Sequence, residues 1–290
     1  MQRLKKFVYI RPESVTEACA VLQEAGSTAR VLAGGTDVLV AMKEKGLSLA
    51  SLVDIKGLTE LMGIKEVNGG LKIGALTTLH EVEISPLVMR KFPAVAVAAG
   101  SIGSLQVRNR GTLGGNLCNA APSADSAPVL IAYGALANIC GSQGERQIPL
   151  QEFFQGPGKT SLASGELLAS IVLPAYAPRT GGAYLKYGPR EAMDIAIVGV
   201  GVTLGLDETG TCREAKIVLG SVAPTPMRAI EAEKTLIGQK IDVDIIAKAA
   251  AIAGSEAKPI SDQRSSAEYR KELVIVLTRR AIEASLVSIV

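Results

Sequence analysis

Histidine occurs once in this 290-residue chain, tryptophan not at all, and aromatic residues together make up only 3%. A single His80, in the helix-like stretch Thr78-Leu79-His80-Glu81-Val82-Glu83, excludes histidine-based zinc sites and catalytic triads, and reads as part of a solvated helix face. The four cysteines, Cys19, Cys118, Cys140 and Cys212, are scattered without CxxC or CxxxC spacing, so the chain is not expected to hold an iron–sulfur cluster of its own. So few aromatics leave little to stack nucleic-acid bases. Charge of one sign is lacking too: 31 basic against 28 acidic residues give +3, too weak for a nucleic-acid footprint. Hydrophobic residues reach 48%, yet Gly, Pro or charge interrupts every stretch before about 18 apolar residues accumulate, which argues against a membrane span. The basic start Met1-Gln2-Arg3-Leu4-Lys5-Lys6-Phe7 is followed by Pro12 and Glu13, so the apolar core of a signal peptide is missing and a cytoplasmic protein is expected.

What is present is a change of pattern along the chain. Phe7–Ile10 reads as a strand, Ser14-Val15-Thr16-Glu17 as a capping box opening a helix towards Gly26, and Ala29–Leu32 as a buried strand. The loop Ala33–Asp37, a helix to about Lys45 with Gly46 at its C-cap, and the strand Ser51–Asp54 follow. Asn68-Gly69-Gly70, between Gly63–Val67 and Leu71–Gly74, signals a hairpin and the onset of antiparallel strands. Residues 78–103 read as two or three short helices and Gly111–Asn119 as a Gly- and Asn-rich stretch. A helix near 127–133 and strands at Leu136–Cys140 and Leu167–Leu173 come next. Pro174, Pro178, Gly181 and Gly182 mark a domain boundary. Beyond it, strand-like runs at Ala183–Tyr187, Ile195–Leu206 and Ala215–Gly220 precede helical patterns near 227–238, 242–254 and 266–288.

Two loops could carry chemistry. Gly34-Gly35-Thr36 lies between a buried strand and a helix, where consecutive backbone N–H groups converge on an anion if the chain is not merely making a tight turn. Asp37 suits an N-cap. Gly111-Thr112-Leu113-Gly114-Gly115-Asn116 is a second glycine pair flanked by hydroxyl and amide side chains. The pair of loops fits either two ordinary turns or a grip on a pyrophosphate from both sides. Neither spells GxGxxG, and Gly199–Gly205 has the wrong spacing and a strand-like setting, which disfavours a Rossmann nicotinamide site.

Taken together, Leu32–Asp37, Gln106–Asn116 and Ala121-Pro122-Ser123-Ala124-Asp125 resemble, in order and spacing, the FAD subunits of molybdenum hydroxylases. That family includes the medium subunit of bacterial carbon monoxide dehydrogenases and the flavin domain of xanthine dehydrogenases. Gly165–Ile171 and Leu185-Lys186-Tyr187 through Asp194-Ile195-Ala196 agree with it, so the resemblance spans nearly the whole chain. It implies an α+β fold: a vanillyl-alcohol-oxidase-like FAD-binding domain over 1–175, with subdomains of about 1–56 and 57–175, and a C-terminal α+β domain over 176–290 with an antiparallel sheet and helices. It also implies that Val31, Leu32, Ala33, Gly34, Gly35, Thr36 and Asp37, with Thr112, Gly114, Gly115 and Asn116, hold the pyrophosphate and adjoining parts of a non-covalent FAD. Asp125 would bond the cofactor's hydroxyls, and Ile102, Leu168 and Lys186 would lie around the isoalloxazine. By their residue types alone, Ile102 and Leu168 suit a core equally and Lys186 a solvated surface. Ile195 stands where some relatives carry an aromatic beside the flavin. The cysteine-bearing insertion of relatives acting on 4-hydroxybenzoyl-CoA is missing.

The function implied is electron transfer without a catalytic side chain: electrons from 2Fe-2S clusters on a small partner subunit pass through FAD to NAD, a quinone, oxygen or another external acceptor. A large molybdopterin-binding subunit would perform the hydroxylation. Two rivals are a self-sufficient flavin oxidase of the vanillyl-alcohol oxidase type, poorly served by one histidine and six tyrosines, and a non-enzymatic nucleotide-binding module.

Overall fold

The computed structural model describes residues 4–190 and 192–289. The N-terminal part is a three-stranded parallel sheet of order β1-β3-β2, made of β1 (Val8–Ile10), β2 (Ala29–Leu32) and β3 (Ser51–Asp54). Helices α1 (Val15–Ala25) and α2 (Val38–Glu44) make the crossovers that parallel pairing requires. α1 packs Ala18, Cys19 and Leu22 under the sheet against Val53, while Leu32 and Leu52 meet Met42 in a separate cluster. Ser14 caps α1 by accepting from the Glu17 amide, but the Glu17 carboxylate accepts from the amide of Glu13, so half of the expected capping box forms. The full reciprocal box belongs instead to Thr78 and Glu81, at the start of α3 (Leu79–Ile84).

A five-stranded antiparallel sheet of order β4-β5-β10-β6-β7 follows. Its members are β4 (Ile64–Val67), β5 (Gly70–Gly74), β6 (Leu136–Gly141), β7 (Gly144–Pro149) and β10 (Leu167–Leu173). Asn68 and Gly69 both take positive φ in the β4–β5 turn, as an Asn-Gly hairpin demands. β7 was not foreseen, because its residues, Gly-Glu-Arg-Gln-Ile-Pro, are almost all exposed on an edge and lack apolar alternation. After α9 (Leu150–Phe153), a two-stranded ribbon of β8 (Phe154–Gly156) and β9 (Lys159–Thr160) was likewise not foreseen. Between β5 and β6 run α3, α4 (Pro86–Lys91), α5 (Pro93–Gly100), α6 (Leu105–Arg108), α7 (Leu113–Asn119) and α8 (Ser126–Ala132). The segment expected to be a glycine loop is therefore mostly α7. Thr112 caps it by accepting from the Gly115 amide at 3.0 Å, and Gly114 is tolerated inside it because a Cβ there would come within 2.5 Å of the Ala75 Cβ.

The C-terminal part is a four-stranded antiparallel sheet of β11 (Thr180–Tyr187), β12 (Val198–Leu206), β13 (Cys212–Gly220) and β14 (Met227–Arg228), in that order. α10 (Ile230–Leu236), α11 (Val243–Glu256) and α12 (Ala267–Val287) complete its core with residues such as Val200, Ile217, Ala249 and Val274. The expected run Ile195–Leu206 is shortened at its start: residues up to Ile197 form a loop, and Ile195 is 46% exposed. All seven residues of α8 are buried, since β12 and β13 press on one side of it and the helices above the five-stranded sheet on the other. Thr203 Oγ1 donates to the Ala132 carbonyl across this seam at 2.9 Å.

Gly201 of β12 makes that seam possible, because a Cβ there would lie 2.7 Å from the backbone of Pro128 and Val129. Gly201→Ala should destabilise the fold by about 1–3 kcal/mol in urea unfolding, the usual cost of overpacking. Gly205→Ala, whose Cβ would meet side chains only, the end of Arg213 at 3.0 Å and Thr180 Oγ1 at 3.3 Å, should differ from the parent by less than about 1 kcal/mol. Equal midpoints for the two variants would refute this account of the seam.

Candidate functional site

A cavity of about 540 Å³ opens where the N-terminal parallel sheet meets the corner between β5 and α3. Its size lies within the range of cofactor sites. The loop after β2 forms one wall. Gly35 has φ +81°, and the amides of Gly34, Gly35, Thr36, Asp37 and Val38 donate to no acceptor among the described residues. Such a run of unsatisfied N–H groups along a cavity is what an anion requires. Asp37 occupies the N-cap position of α2 but does not cap it; its carboxylate accepts instead from the Asn119 side chain at 3.1 Å.

The 111–119 segment forms the facing wall, and its backbone is mostly spent on holding itself in place. Leu113 N–H donates to the Thr77 carbonyl and Gly114 N–H to the Ala75 carbonyl, both at 2.9 Å, while the Gly111 carbonyl accepts from Leu79 N–H at 2.8 Å. Asn116 Oδ1 accepts from Ser126 Oγ at 2.6 Å, which fixes its carbonyl side and leaves its amide end as the donor. The two walls touch: a Cβ on Gly34 would fall 2.1 Å from the Arg110 carbonyl oxygen. Gly34 thus serves the approach of the loops, and Gly35 the turn.

Of the residues singled out from the sequence, the cavity brings together Val31, Ala33, Gly34, Gly35, Thr36, Asp37, Ile102, Thr112, Gly114, Gly115, Asn116 and Leu168. Leu32 points away from it into the separate cluster with Leu52 and Met42. Asp125 and Lys186 also do not line it. They pair with each other at 2.8 Å, Asp125 Oδ1 accepts from Tyr184 OH at 2.7 Å, and Lys186 Nζ donates in addition to the carbonyls of Ser101 (3.0 Å) and Asp194 (2.9 Å). Burial pushes the Asp125 carboxyl up while Lys186 and Tyr184 pull it back. A lysine pulled inward by a buried carboxylate is neither a solvated surface group nor a free charge.

Sequence reasoning passed over Cys118, Asn119, Leu162 and Glu166, which also line the cavity. Cys118, Asn119 and Glu166 lay inside or beside the quoted motifs; Leu162 carried no signal. Burial pushes the Cys118 thiol up to about 12, so it is held as the neutral thiol. Glu166 is bound by Arg146 at 2.7 Å, and the Arg146 hydrogen bond holds it below the usual carboxylate range. Among the described residues no three His, Cys, Asp or Glu side chains are arranged to hold a metal ion, and no helix is long and apolar enough to cross a membrane.

Lys186→Met would leave Asp125 buried without its cation, and the carboxyl would then take up a proton in the folded state. The unfolded state ionises near pH 4, so above that pH the variant loses stability as pH rises, until the folded-state pKa is reached. At neutral pH the loss should be about 3–5 kcal/mol, shrinking towards pH 4, and Lys186→Met with Asp125→Asn should remove most of the pH dependence. A stability difference between variant and parent that stays flat from pH 4.5 to 7.5 would show that this pair carries no buried charge.

Comparison with known proteins bears on what the cavity holds. Residues 5–176 match the family described as "FAD binding domain in molybdopterin dehydrogenase", and residues 183–285 match "CO dehydrogenase flavoprotein C-terminal domain". The carbon monoxide dehydrogenase medium chain of Afipia carboxidovorans is 36% identical over 277 residues, covering 96% of each chain. The xanthine dehydrogenase FAD-binding subunit of Escherichia coli is 35% identical over 276 residues, covering 94% of each. Among solved structures, the carbon monoxide dehydrogenase of Hydrogenophaga pseudoflava superposes with a TM-score of 0.95 at 35% identity over 100% of both chains. With the two-walled cavity and its unsatisfied amides, these matches establish that the chain belongs to the family of FAD-binding medium subunits of molybdenum hydroxylases.

Proposed function

We propose that the chain relays electrons within a molybdenum hydroxylase complex, from 2Fe-2S clusters on a small partner subunit to an external acceptor, while a large molybdopterin subunit oxidises the substrate. The observation that carries this reading is the chemistry of the cavity walls. The free amides of Gly34 to Val38, with the amide end of Asn116, offer donors to a pyrophosphate, and Ile102 and Leu168 offer an apolar flank to a ring. The lining carboxylates, Asp37 and Glu166, are already engaged by Asn119 and Arg146, so neither is poised as the base that a self-sufficient oxidase would need. Bound FAD supplies the redox chemistry, and the chain's own part is to bind it, exclude water and tune it. Residues 1–175 are assigned to holding the cofactor and 176–290 to a C-terminal domain that closes against it through α8, on the strength of the burial of that helix.

FAD should be stoichiometric and released by acid precipitation, since no histidine lines the cavity and its one lining cysteine, Cys118, is held by burial as the neutral, unreactive thiol. Gly115→Val should retain little of it: the first added carbon would sit 2.9 Å from Thr112 Oγ1 and the branches would fill the space between the two walls. Glu214→Ala, on the surface of β13, should retain it fully. Flavin that stays with the precipitated polypeptide, or a Gly115→Val protein as yellow as the parent, would sink this assignment of the loops.

For the electron route, the complex is reassembled with and without its small cysteine-rich subunit and mixed anaerobically with the reducing substrate. Flavin bleaching at 450 nm should require that subunit. Bleaching at the same rate without it would mean that electrons do not enter from the clusters.

A further inference from the structure

The short strip between α5 and α6 is held in an unusual way. Three consecutive carbonyls each accept from a different element: Ser101 from Lys186 Nζ at 3.0 Å, Ile102 from Arg108 Nη1 at 3.2 Å, and Gly103 from the amide of Met193 at 3.1 Å. Two of the three donors are cations, each itself neutralised by a carboxylate. Arg108 is paired with Glu83 through Nε at 2.8 Å and Nη2 at 3.3 Å, a forked contact that fixes the guanidinium plane. His80 Nδ1 lies 3.2 Å from the same carboxylate, and Gly100 leaves room for it, since a Cβ there would come within 3.0 Å of Glu83 Oε1. Burial pushes Glu83 up, but its bonds from Arg108 and His80 outweigh this and hold it below the usual range. Arg108 does not line the cavity, whereas Ile102 does.

We propose that Arg108, braced by Glu83, is a positioning residue for the flavin: by fixing the Ile102 carbonyl it sets the height of the Ile102 side chain and the direction of the Ile102–Gly103 peptide dipole at the cavity wall. The peptide is planar and trans, so turning its carbonyl onto the guanidinium turns the Gly103 N–H to the opposite edge. That N–H donates to no acceptor among the described residues. Release of the carbonyl would let the peptide rotate and carry both groups away from their places, which changes how the wall solvates the oxidised and the reduced ring without touching the pyrophosphate grip. This inference rests on the reading that Ile102 flanks the ring.

The test compares the FAD-loaded full chain with Arg108→Gln, Arg108→Lys, Glu83→Gln and Ile102→Ala, using Arg279→Gln, exposed on α12, as control. The readouts are FAD affinity, the absorption spectrum of bound flavin and its midpoint potential. Arg108→Gln should bind oxidised FAD within about threefold of the parent, yet change the ratio of oxidised- to reduced-flavin affinity by about fivefold, the worth of one hydrogen bond, with a displaced absorption band. Arg108→Lys should recover part of the shift, because one ammonium keeps a bond to either the carboxylate or the carbonyl but not the fork. If Arg108→Gln does not fold, Glu83→Gln carries the same expectation with its volume conserved. Parental spectrum and potential in Arg108→Gln or Glu83→Gln, alongside a shift in Ile102→Ala, would overturn the role of Arg108. Parental values in Ile102→Ala as well would show that the ring lies elsewhere, which removes the placement of the ring and the proposal with it, while leaving FAD binding itself intact.

Discussion

The approach of two backbones, Gly34 against the carbonyl of Arg110, is the constraint on which the site depends. No side chain fits between them, so the parallel sheet that carries the first segment and the helical layer that carries the second are fixed at one separation. The second segment cannot retreat, because Leu113, Gly114 and the Gly111 carbonyl are all bonded to the corner after β5. The first has little else to bond to, and that asymmetry gives the cavity its character. One wall is internally satisfied; the other presents to the cavity a row of amide hydrogens without protein acceptors, to which an anion can bond.

A second level of organisation places the rest of the molecule behind this pair of walls. The C-terminal sheet reaches the site through α8, gripped on both sides, and through Lys186, which carries positive charge to the end of α5. Three charge pairs stand at or near the cavity, Lys186 with Asp125, Arg108 with Glu83 and Arg146 with Glu166, while Arg30 and Asp37, which line it, form no ion pair among the described residues. Each such pair supplies direction and order with little field of its own.

Much of this was legible from the residues. Asn68-Gly69 announced its hairpin, because a two-residue turn needs two positive φ values in succession. The Gly-Gly pair after a buried strand announced a close approach. The Gly- and Asn-rich run from Gly111 was misread as loop, because glycine's low helix propensity was overridden by the Thr112 cap and by a packing site with no room for a Cβ. β7 escaped because an exposed edge strand has no apolar face to betray it. Thr78 and Glu81, unlike Ser14 and Glu17, closed the reciprocal box, a difference that residue types alone do not encode.

The sequence by itself determined the two glycine segments, the paucity of histidine and the family resemblance, since these depend on residue identity and local spacing. Tertiary structure alone decided what the charged residues do. Asp125 and Lys186 lie 61 positions apart, and nothing local says whether each faces a ligand or the other. Burial supplies the answer: two opposite charges taken out of water gain more from one another, at 2.8 Å, than either would gain unpartnered. Arg108 was read only as part of a motif, and its hold on Ile102 exists because α3 and α6 are packed side by side. Short-range chemistry is written along the chain, whereas the pairing of distant charges is fixed only when the fold excludes the solvent between them.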